Sequence, residues 1–581
     1  MIEQYYEEEL RYLYESGKLF AKAHPERAQL LNIDAVGDRD PYVERLFEGF
    51  AFLTARVREK LDDSFPELTE GLLDLMWPQF LQEIPSVAMI QLRPRQGHLQ
   101  GTHVLPKNSE VMSDPVGPEK AVCRFTTTQE VRLNPIVLRR VDSEVDSRGN
   151  TTLTLNFGLE QGVKWSQCRL DPVRLYLHGE LPTAMMLHQF LTTKIISAQL
   201  ITDCGEPVTL DPKTVCSCGG LKPEESLLPA DTRSFGGYSL LLEYFIYPEK
   251  FLFVDLFGCG KVKVGDPEPT SFTYKIVLAG EIPHSMPFSK DNFRMFCTPV
   301  VNLFKHHTVP VNRSGLKTEY RVIADTTYPQ SIQAHSIISV TGIDKVTGDS
   351  YDYEPLHSFK NISNKKARTY TARYQNGFDN RRAISLQIGG EQLAGEEIHE
   401  ESLTIHAWCT NGDLPREEIR EGGISTPGRK WPDFIMLSNI TRPTLACRPP
   451  AGEDYLWMFL SHLGSTYTTL ADADALKSFL RLYNWSQGEG KGRRIDAITE
   501  ASAEPAQMVV QGALIRGVRF SVGIQAAQFN DSGDLHLFGE VLKEFLAQYV
   551  SVNSFVELVF VLKPSGQTMT WNSIAGRRWQ I

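Results

Sequence analysis

Two short segments carry residue types that could bind a phosphate or a metal ion. The glycine-rich segment GEGKGRR (488–494) has part of a phosphate-loop pattern, but no Ser or Thr follows Lys491. We therefore interpret it as a flexible loop. His399-Glu400 begins like a zinc-protease motif, yet Leu403 occupies the position of the second His, one helical turn later. Neither segment predicts a site.

Thiols and carboxylates give no stronger signal. Cys204, Cys216 and Cys218 lack the usual C-x-x-C spacing, and no second pair follows them. Asp62-Asp63 lies on the solvated side of a predicted helix, and no G-x-S-x-G elbow occurs. The residues therefore predict no catalytic residue, no cofactor and no metal.

A basic segment at 360–382 is the remaining candidate for direct chemistry. Tyr370, Tyr374 and Phe378 are interleaved with its charges, which is typical of a surface that binds nucleic acid or an acidic partner. A solvated loop is the alternative that we favour. The basic residues are Lys360, Lys365, Lys366, Arg368, Arg373, Arg381 and Arg382, with His357 just before them.

Composition narrows the function classes. The chain has 581 residues, a formal net charge of -11 and nine cysteines, an ordinary globular composition. An acidic balance disfavours a general nucleic-acid binder, and an odd cysteine count in a long chain disfavours a disulfide scaffold. The N-terminus has no signal-peptide pattern, and charges and Pro248 interrupt the most apolar stretch, 238–260. We expect a soluble, cytoplasmic protein.

Residues 1–85 predict helices, in the pattern of an N-terminal bundle segment. A first helix ends before Pro25, a second begins at Asp40-Pro41, and a third covers about 67–82. The second helix carries a stripe of apolar residues at steps of three and four, which needs a cover from the same chain or from a partner. We single out four of them as partner-interface candidates, Leu46, Phe50, Leu53 and Val57.

The rest of the chain predicts an α+β multidomain protein. Short alternating runs with frequent turn residues favour antiparallel, sandwich-like sheets in two β-rich domains, 86–236 and 237–447. The first contains a helix opened by Pro182 and a long loop at 204–235. Helical periodicity returns in a C-terminal mixed α/β domain, 448–581, where FVELVFVL (555–562) has the apolar pattern of an internal strand.

Several long blocks resemble the TssF family of type VI secretion baseplate wedge proteins. The resemblance runs nearly end to end and is weakest around 204–235 and 360–381. The blocks are DPYVERLFEGFAFLTARVREKLDDSFPELTEGLLDLMWPQFLQEIPS (40–85), GYSLLLEYFIYPEKFLFVDLFG (237–258), FRMFCTPVVNLFKHHTVPV (293–311), EYRVIADTTYPQSIQAHSIISV (319–340), CTNGDLP (409–415), RPP with LWMFLSHL (448–463) and FGEVLKEFLAQYVSVNSFVELVF (538–560).

The resemblance implies a structural role without enzyme activity, similar to that of wedge proteins in contractile phage-tail baseplates. It implies two copies of the chain with one TssG, joined by TssK, with TssE, the VgrG spike and the sheath and tube as further neighbours. It places the assembly on the cytoplasmic side of the bacterial inner membrane, connected to the membrane complex only through partners. The alternatives are a hydrolase acting on a polymer through a site hidden in the sequence and a nucleic-acid binder that uses 360–382.

Overall fold

A computed structural model describes most of the chain. The described residues are 2–23, 41–62, 71–73, 77–229, 236–283, 286–313, 317, 319–356, 368–376, 382–389, 400–450, 453–462, 467–485, 489–510 and 512–577. By their contacts they divide into two compact units. The helical unit is Met1–Asp74 with Gly452–Leu460, and the strand-rich unit is Leu75–Ala451 with Ser461–Ile581.

The helices begin and end where capping and proline signals predict. Pro41 opens the second helix, Pro182 lies in the first turn of the third, and Pro248 follows the end of the fourth. The helices are α1 Ile2–Ala23, α2 Pro41–Asp62, α3 Leu181–Thr193, α4 Gly236–Ile246, α5 Leu414–Glu418, α6 Glu453–His462, α7 Ala473–Tyr483, α8 Glu489–Asp496 and α9 Ser532–Leu546.

The predicted three-helix N-terminal bundle is not supported. In the helical unit α1 and α2 pack against each other, and Tyr14 meets Phe47 edge-on with ring centroids 6.2 Å apart. Of the predicted third helix, residues 71–73 are helical, 74–76 lie outside the described residues, and Pro78–Leu81 form a 3-10 turn. In the strand-rich unit Phe80 packs edge-on against Tyr483 and Trp485, and these aromatic contacts hold the turn there.

Among the described residues, fifteen strands lie between 87 and 301. They are β1 Val87–Pro94, β2 His103–Leu105, β3 Glu110–Val116, β4 Ala121–Thr127, β5 Val131–Leu133, β6 Ile136–Val145, β7 Thr151–Leu159, β8 Val173–Leu177, β9 Ile195–Thr202, β10 Val208–Leu210, β11 Cys216–Gly219, β12 Phe253–Leu256, β13 Ser271–Leu278, β14 Phe293–Met295 and β15 Cys297–Val301.

Fifteen further strands follow in the described part of 304–575, and they include the two longest, Ile498–Val510 and Ala513–Gln525. They are β16 Phe304–His307, β17 Val311–Arg313, β18 Glu319–Arg321, β19 Gln333–Asp344, β20 Ser350–Pro355, β21 Thr369–Asn376, β22 Arg382–Gly389, β23 Glu401–Thr410, β24 Ile424–Pro427, β25 Ile435–Asn439, β26 Ile498–Val510, β27 Ala513–Gln525, β28 Phe555–Lys563, β29 Thr568–Thr570 and β30 Ile574–Ala575.

The strands form several separate sheets, and most neighbours are antiparallel, as the sequence predicts. The orders are β24-β3-β4-β15-β1-β25, β10-β9-β13-β7-β6, β11-β12-β8-β14, β16-β23-β19-β20-β21-β22-β18 with β17 beside β23, β2-β5, and β26-β27-β28-β29 with β30 beside β28. The apolar strand β28 is internal because β27 pairs parallel on one side and β29 antiparallel on the other.

Helix α9 lies at the centre of the strand-rich unit. It packs against α3, α4 and β28. A Cβ on Gly533 would lie 2.6 Å from the backbone carbonyl carbon of Met185, so this glycine permits the close approach of α9 to α3. Among the residues that the structure describes, no helix is both long and apolar enough to cross a membrane.

Three local predictions are wrong. The predicted loop 204–235 contains β10, β11 and the turn Pro223–Glu225, and the predicted basic loop contains β21. The glycine-rich segment around 488–494 is mostly helix α8, because buried Arg494 and Ile495 anchor its last turn. Short strands and anchored helices of this kind carry too little periodicity to recognise.

Candidate interface and polar sites

The predicted stripe on α2 is solvent-exposed. Leu46 is 69% exposed, Phe50 57% and Leu53 61%. Their spacing of four and three residues places them on one face of the helix. Val57 continues the same spacing, but its side chain lies outside the described residues. The stripe is therefore a row of large apolar side chains facing solvent.

The opposite face of α2 accounts for this exposure. Ala51 and Ala55 are fully buried. Phe47, one helical turn before Ala51, contacts Tyr14 of α1. Small residues let two helices approach closely, so α2 uses its alanine face for its own chain. The larger apolar side chains are left for another surface.

Further apolar side chains of the helical unit face solvent. Tyr42 lies one turn before Leu46 on α2, and Trp457 and Met458 of α6 are also exposed. Exposed large apolar side chains of this kind are typical of protein–protein contact sites when they form one patch. The sequence prediction missed Trp457 and Met458. The signal was present, since LWMFLSHL carries apolar residues on more faces than one contact needs.

The strand-rich unit contains a cavity of about 540 Å³, lined partly by strands β5, β8 and β12. Arg174 lies in its wall and binds two carboxylates. Its Nε and Nη2 donate to Asp255 at 2.7 and 2.8 Å, and its Nη1 lies 2.7 Å from Glu225 Oε1. Nη1 also donates to the Gln129 carboxamide oxygen at 3.2 Å. Both carboxylates are thus held by one guanidinium.

The electrostatics at Glu225 favour an ionised carboxylate. Burial raises the pKa of Glu225, but the Arg174 guanidinium and the Lys222 backbone N–H lower it, and the net pKa lies below the ordinary value. A general acid needs the opposite shift, so Glu225 is a poor candidate for that role. The sequence reasoning missed this cluster. A signal was available, since Arg174 and Asp255 are charged residues inside the apolar strand patterns VRLYL and FVDL.

The described part of the basic segment is used within the chain. Arg368 pairs with buried Glu401, which also accepts a hydrogen bond from Tyr353. Tyr370 is buried in a core cluster, and Tyr374 packs against it. The ring of Tyr370 is therefore closed to a stacking base, and that of Tyr374 is half-buried. Residues 357–367 and 377–381 lie outside the described residues.

The rejected metal motifs gain no support. Cys216 and Cys218 belong to β11, where Cys216 is buried and Cys218 partly buried. Burial raises the pKa of Cys218 well above its ordinary value, which disfavours the thiolate that a metal needs. In the described ranges, His, Cys, Asp and Glu side chains form no group of three that could hold a metal ion. His399 lies outside those ranges.

Known proteins match this chain over nearly its whole length. A curated relative, type VI secretion system component TssF1 of Pseudomonas aeruginosa, is 28% identical over 99% of this chain and 98% of its own length. A cryo-electron microscopy structure of the type VI secretion TssK-TssF-TssG baseplate subcomplex contains a chain that is 33% identical. The match has a TM-score of 0.79 and covers 92% of this chain and 99% of that one.

A chain in a second structure, of the baseplate complex from the type VI secretion system, is 29% identical. Its TM-score is 0.64, and both chains are covered completely. The family profile described as "Type VI secretion system, TssF" matches residues 1–578. The chain therefore belongs to the TssF family of the type VI secretion system.

Proposed function

We infer that this chain is a structural subunit of the type VI secretion baseplate wedge. It assembles with TssG and TssK into the platform on which sheath and tube are built. Family membership over residues 1–578 and the likeness to a TssK-TssF-TssG subcomplex, at a TM-score of 0.79, support this function.

The exposed stripe on α2 is the observation that supports a partner interface on this helix. Helix α2 buries its alanines and exposes Leu46, Phe50 and Leu53, which no residue that the structure describes covers. Fully burying one such side chain contributes about 1.5–3 kcal/mol before the costs of association. The stripe is therefore the anchor of a helix-to-helix contact.

TssG is the partner that we assign to this stripe. In this arrangement α1 and α2 complete a helical bundle with TssG helices, which the two helices do not build alone. The alternative, in which the N-terminal helices pack wholly on their own chain, is disfavoured by the exposure of Leu46, Phe50 and Leu53. Val57 belongs to the same contact by its spacing.

The wider assembly follows from the family resemblance. Two copies of this chain pair with one TssG, and TssE, VgrG and, indirectly, the sheath are further neighbours. The wedge docks on the cytoplasmic side of the inner membrane through its partners. The chain acts without catalysis, and the carboxylates held by Arg174 fit that reading because neither is left as a free general acid.

Native mass spectrometry of the chain co-expressed with its TssG and TssK counterparts tests this function. The expected species contains two copies of this chain and one TssG. The triple variant Leu46→Ser, Phe50→Ser and Leu53→Ser should remain folded, because these side chains are exposed, and should lose TssG at least tenfold more readily. Circular dichroism and proteolysis of the purified variant check that it is folded.

Phe52→Ser is the matched control, since Phe52 is also exposed on α2 but lies on a different face. It should leave TssG binding within about twofold of the unsubstituted chain. A folded triple variant that still binds TssG normally would refute the interface. A chain that stays a monomer with every baseplate partner present would refute the wedge function itself.

A further inference from the structure

The hairpin of β26 and β27 extends beyond the sheet that it belongs to. The two strands pair from Ile498 with Ile524 to Val510 with Ala513, whereas the pairing of β27 with β28 begins at Gly517. Residues 507–510 and 513–516 thus form a two-stranded ribbon, which we call the distal ribbon. At 3.3–3.4 Å per residue its four-residue strands are about 13 Å long.

One face of the distal ribbon presents apolar side chains to solvent. Val509 and Leu514 are a direct cross-strand pair, and they are 69% and 61% exposed. The next pair on this face is Gln507 and Arg516, both exposed. On the other face Met508 meets its own chain, since the Ser573 hydroxyl donates to its sulfur at 3.5 Å. The face with Met508 therefore contacts the rest of the chain, and the face with Val509 and Leu514 is exposed to solvent.

The free edge of β26 differs between its two halves. β26 is the end strand of its sheet. Its inner half carries Glu500, Glu504 and Pro505, and charges and proline are the devices that keep an edge strand from pairing. The distal half, QMVV at 507–510, has neither. Its composition is that of a strand open to pairing.

We propose that the distal ribbon accepts an extended segment of a different protein subunit, which adds a strand to the edge 507–510. The added strand places an apolar side chain against Val509 and Leu514. It places a carboxylate near Arg516, which faces only the neutral Gln507 across the ribbon. Arg519 shows the contrast, since its Nε binds Glu557 at 2.7 Å.

The stability of the ribbon supports this assignment. An isolated two-stranded ribbon is marginally stable in water, and a third strand with an apolar face stabilises it. Strand addition supplies that third strand and uses main-chain hydrogen bonds for affinity. The surface lies in the strand-rich unit, away from the α2 residues in sequence and role, so the proposal is independent of the TssG contact.

Hydrogen–deuterium exchange tests the proposal on the full chain. Exchange of residues 507–510 is compared between the chain alone and the chain co-assembled with its TssG, TssK, TssE and VgrG counterparts. We expect at least tenfold slower exchange of this segment in the assembly. A photo-crosslinking residue at Gln507 should then link to a segment of another subunit that carries a carboxylate beside an apolar residue.

The double variant Val509→Asp and Leu514→Asp should abolish this protection while circular dichroism and melting temperature stay unchanged. Val346→Asp is the control, because Val346 is 72% exposed at the turn between β19 and β20. It should leave the protection intact. Unchanged exchange of 507–510 in the complete assembly overturns the proposal. So does protection that arises in the chain alone as a homodimer, or a crosslink between two isotope-labelled copies of this chain.

Discussion

Helices α2 and α9 treat their side chains in opposite ways. Helix α9 buries charged and polar residues on every side, whereas α2 exposes Leu46, Phe50 and Leu53 to solvent. Each of the three buried carboxylates of α9 has a cationic partner. Asp534 meets Arg494 at 2.8 Å, Glu540 meets Lys543 at 2.6 Å, and Glu544 meets Arg577 at 2.8 Å.

The difference between the two helices is one of partners. The buried charges of α9 have their partners within this chain, whereas the apolar stripe of α2 is left exposed. A buried charge is tolerated only with a partner at hydrogen-bond distance, so α9 must find all its partners within this chain. An exposed apolar side chain costs little in the free chain and gains its stabilisation on contact. Substitutions of the buried charges of α9 should thus change folding stability, whereas substitutions of the α2 stripe should change assembly if the proposed interface holds.

The largest effect is expected at the Arg494–Asp534 pair. Arg494→Met leaves Asp534 buried without its counter-charge and removes the hydrogen bond to Tyr244 at 3.3 Å. Breaking a buried pair by removing one partner costs about 3–5 kcal/mol of unfolding free energy. Urea denaturation of the purified chain measures this loss.

The double variant Arg494→Met with Asp534→Leu is the control. With no charge left unpaired it should recover most of the lost free energy. If the single variant were as stable as the unsubstituted chain, the central role of paired charges around α9 would be wrong.

A second effect is a loss of stability in mild acid through His188 and His536. Burial lowers the pKa of each ring to about 3, and nearby positive groups add to this effect. Below the unfolded-state pKa of about 6.5, the unfolded chain binds protons that the folded chain does not. The free energy of unfolding therefore decreases as the pH is lowered. Between pH 7.5 and 5.5 each ring should cost about 1.4 kcal/mol.

Substitution of one histidine isolates its contribution. In His188→Leu the difference in unfolding free energy between the two pH values should shrink by about 1.4 kcal/mol. His98→Leu is a surface control that should leave the difference unchanged, because His98 is exposed. An unchanged pH difference in His188→Leu would show that this ring titrates normally in the folded chain.

A further comparison distinguishes the two faces of α2, and it includes the smallest effect. Ala55 is fully buried, so Ala55→Leu should overpack its surroundings and destabilise the helical unit by about 1–3 kcal/mol. Leu46→Ser should change stability by no more than about 0.5 kcal/mol. Amide exchange of α1 and α2 in the isolated chain measures both. Equal losses in the two variants would contradict the exposure of the stripe.

The sequence predicts the helices of this protein better than its junctions. Long periodic segments such as α2 and α9 and the apolar strand β28 are recognised correctly because many residues repeat one pattern. Strand β11 and helix α8 are missed because contacts distant in sequence hold them. β11 pairs with β12, and Arg494 of α8 binds Asp534.

The exposed apolar face of α2 was predictable in part. The spacing of Leu46, Phe50 and Leu53 indicates an apolar face, but spacing cannot tell whether the chain itself covers it. The burial of Ala51 and Ala55 shows that the chain covers the opposite face of α2 instead. For the polar cluster around Arg174, the strand patterns flag Arg174 and Asp255 as unusual charges, but only the tertiary fold shows that Glu225 and Asp255 meet Arg174.

The discontinuity of the helical unit has a consequence in time. Its two parts, Met1–Asp74 and Gly452–Leu460, are separated by most of the chain. At a synthesis rate of about 5–20 residues per second, α1 and α2 leave the ribosome roughly 20–75 seconds before α6 does. Throughout that interval the nascent chain presents the apolar stripe on an incomplete unit. Early capture by a partner or a chaperone would therefore protect the chain from aggregation during its own synthesis.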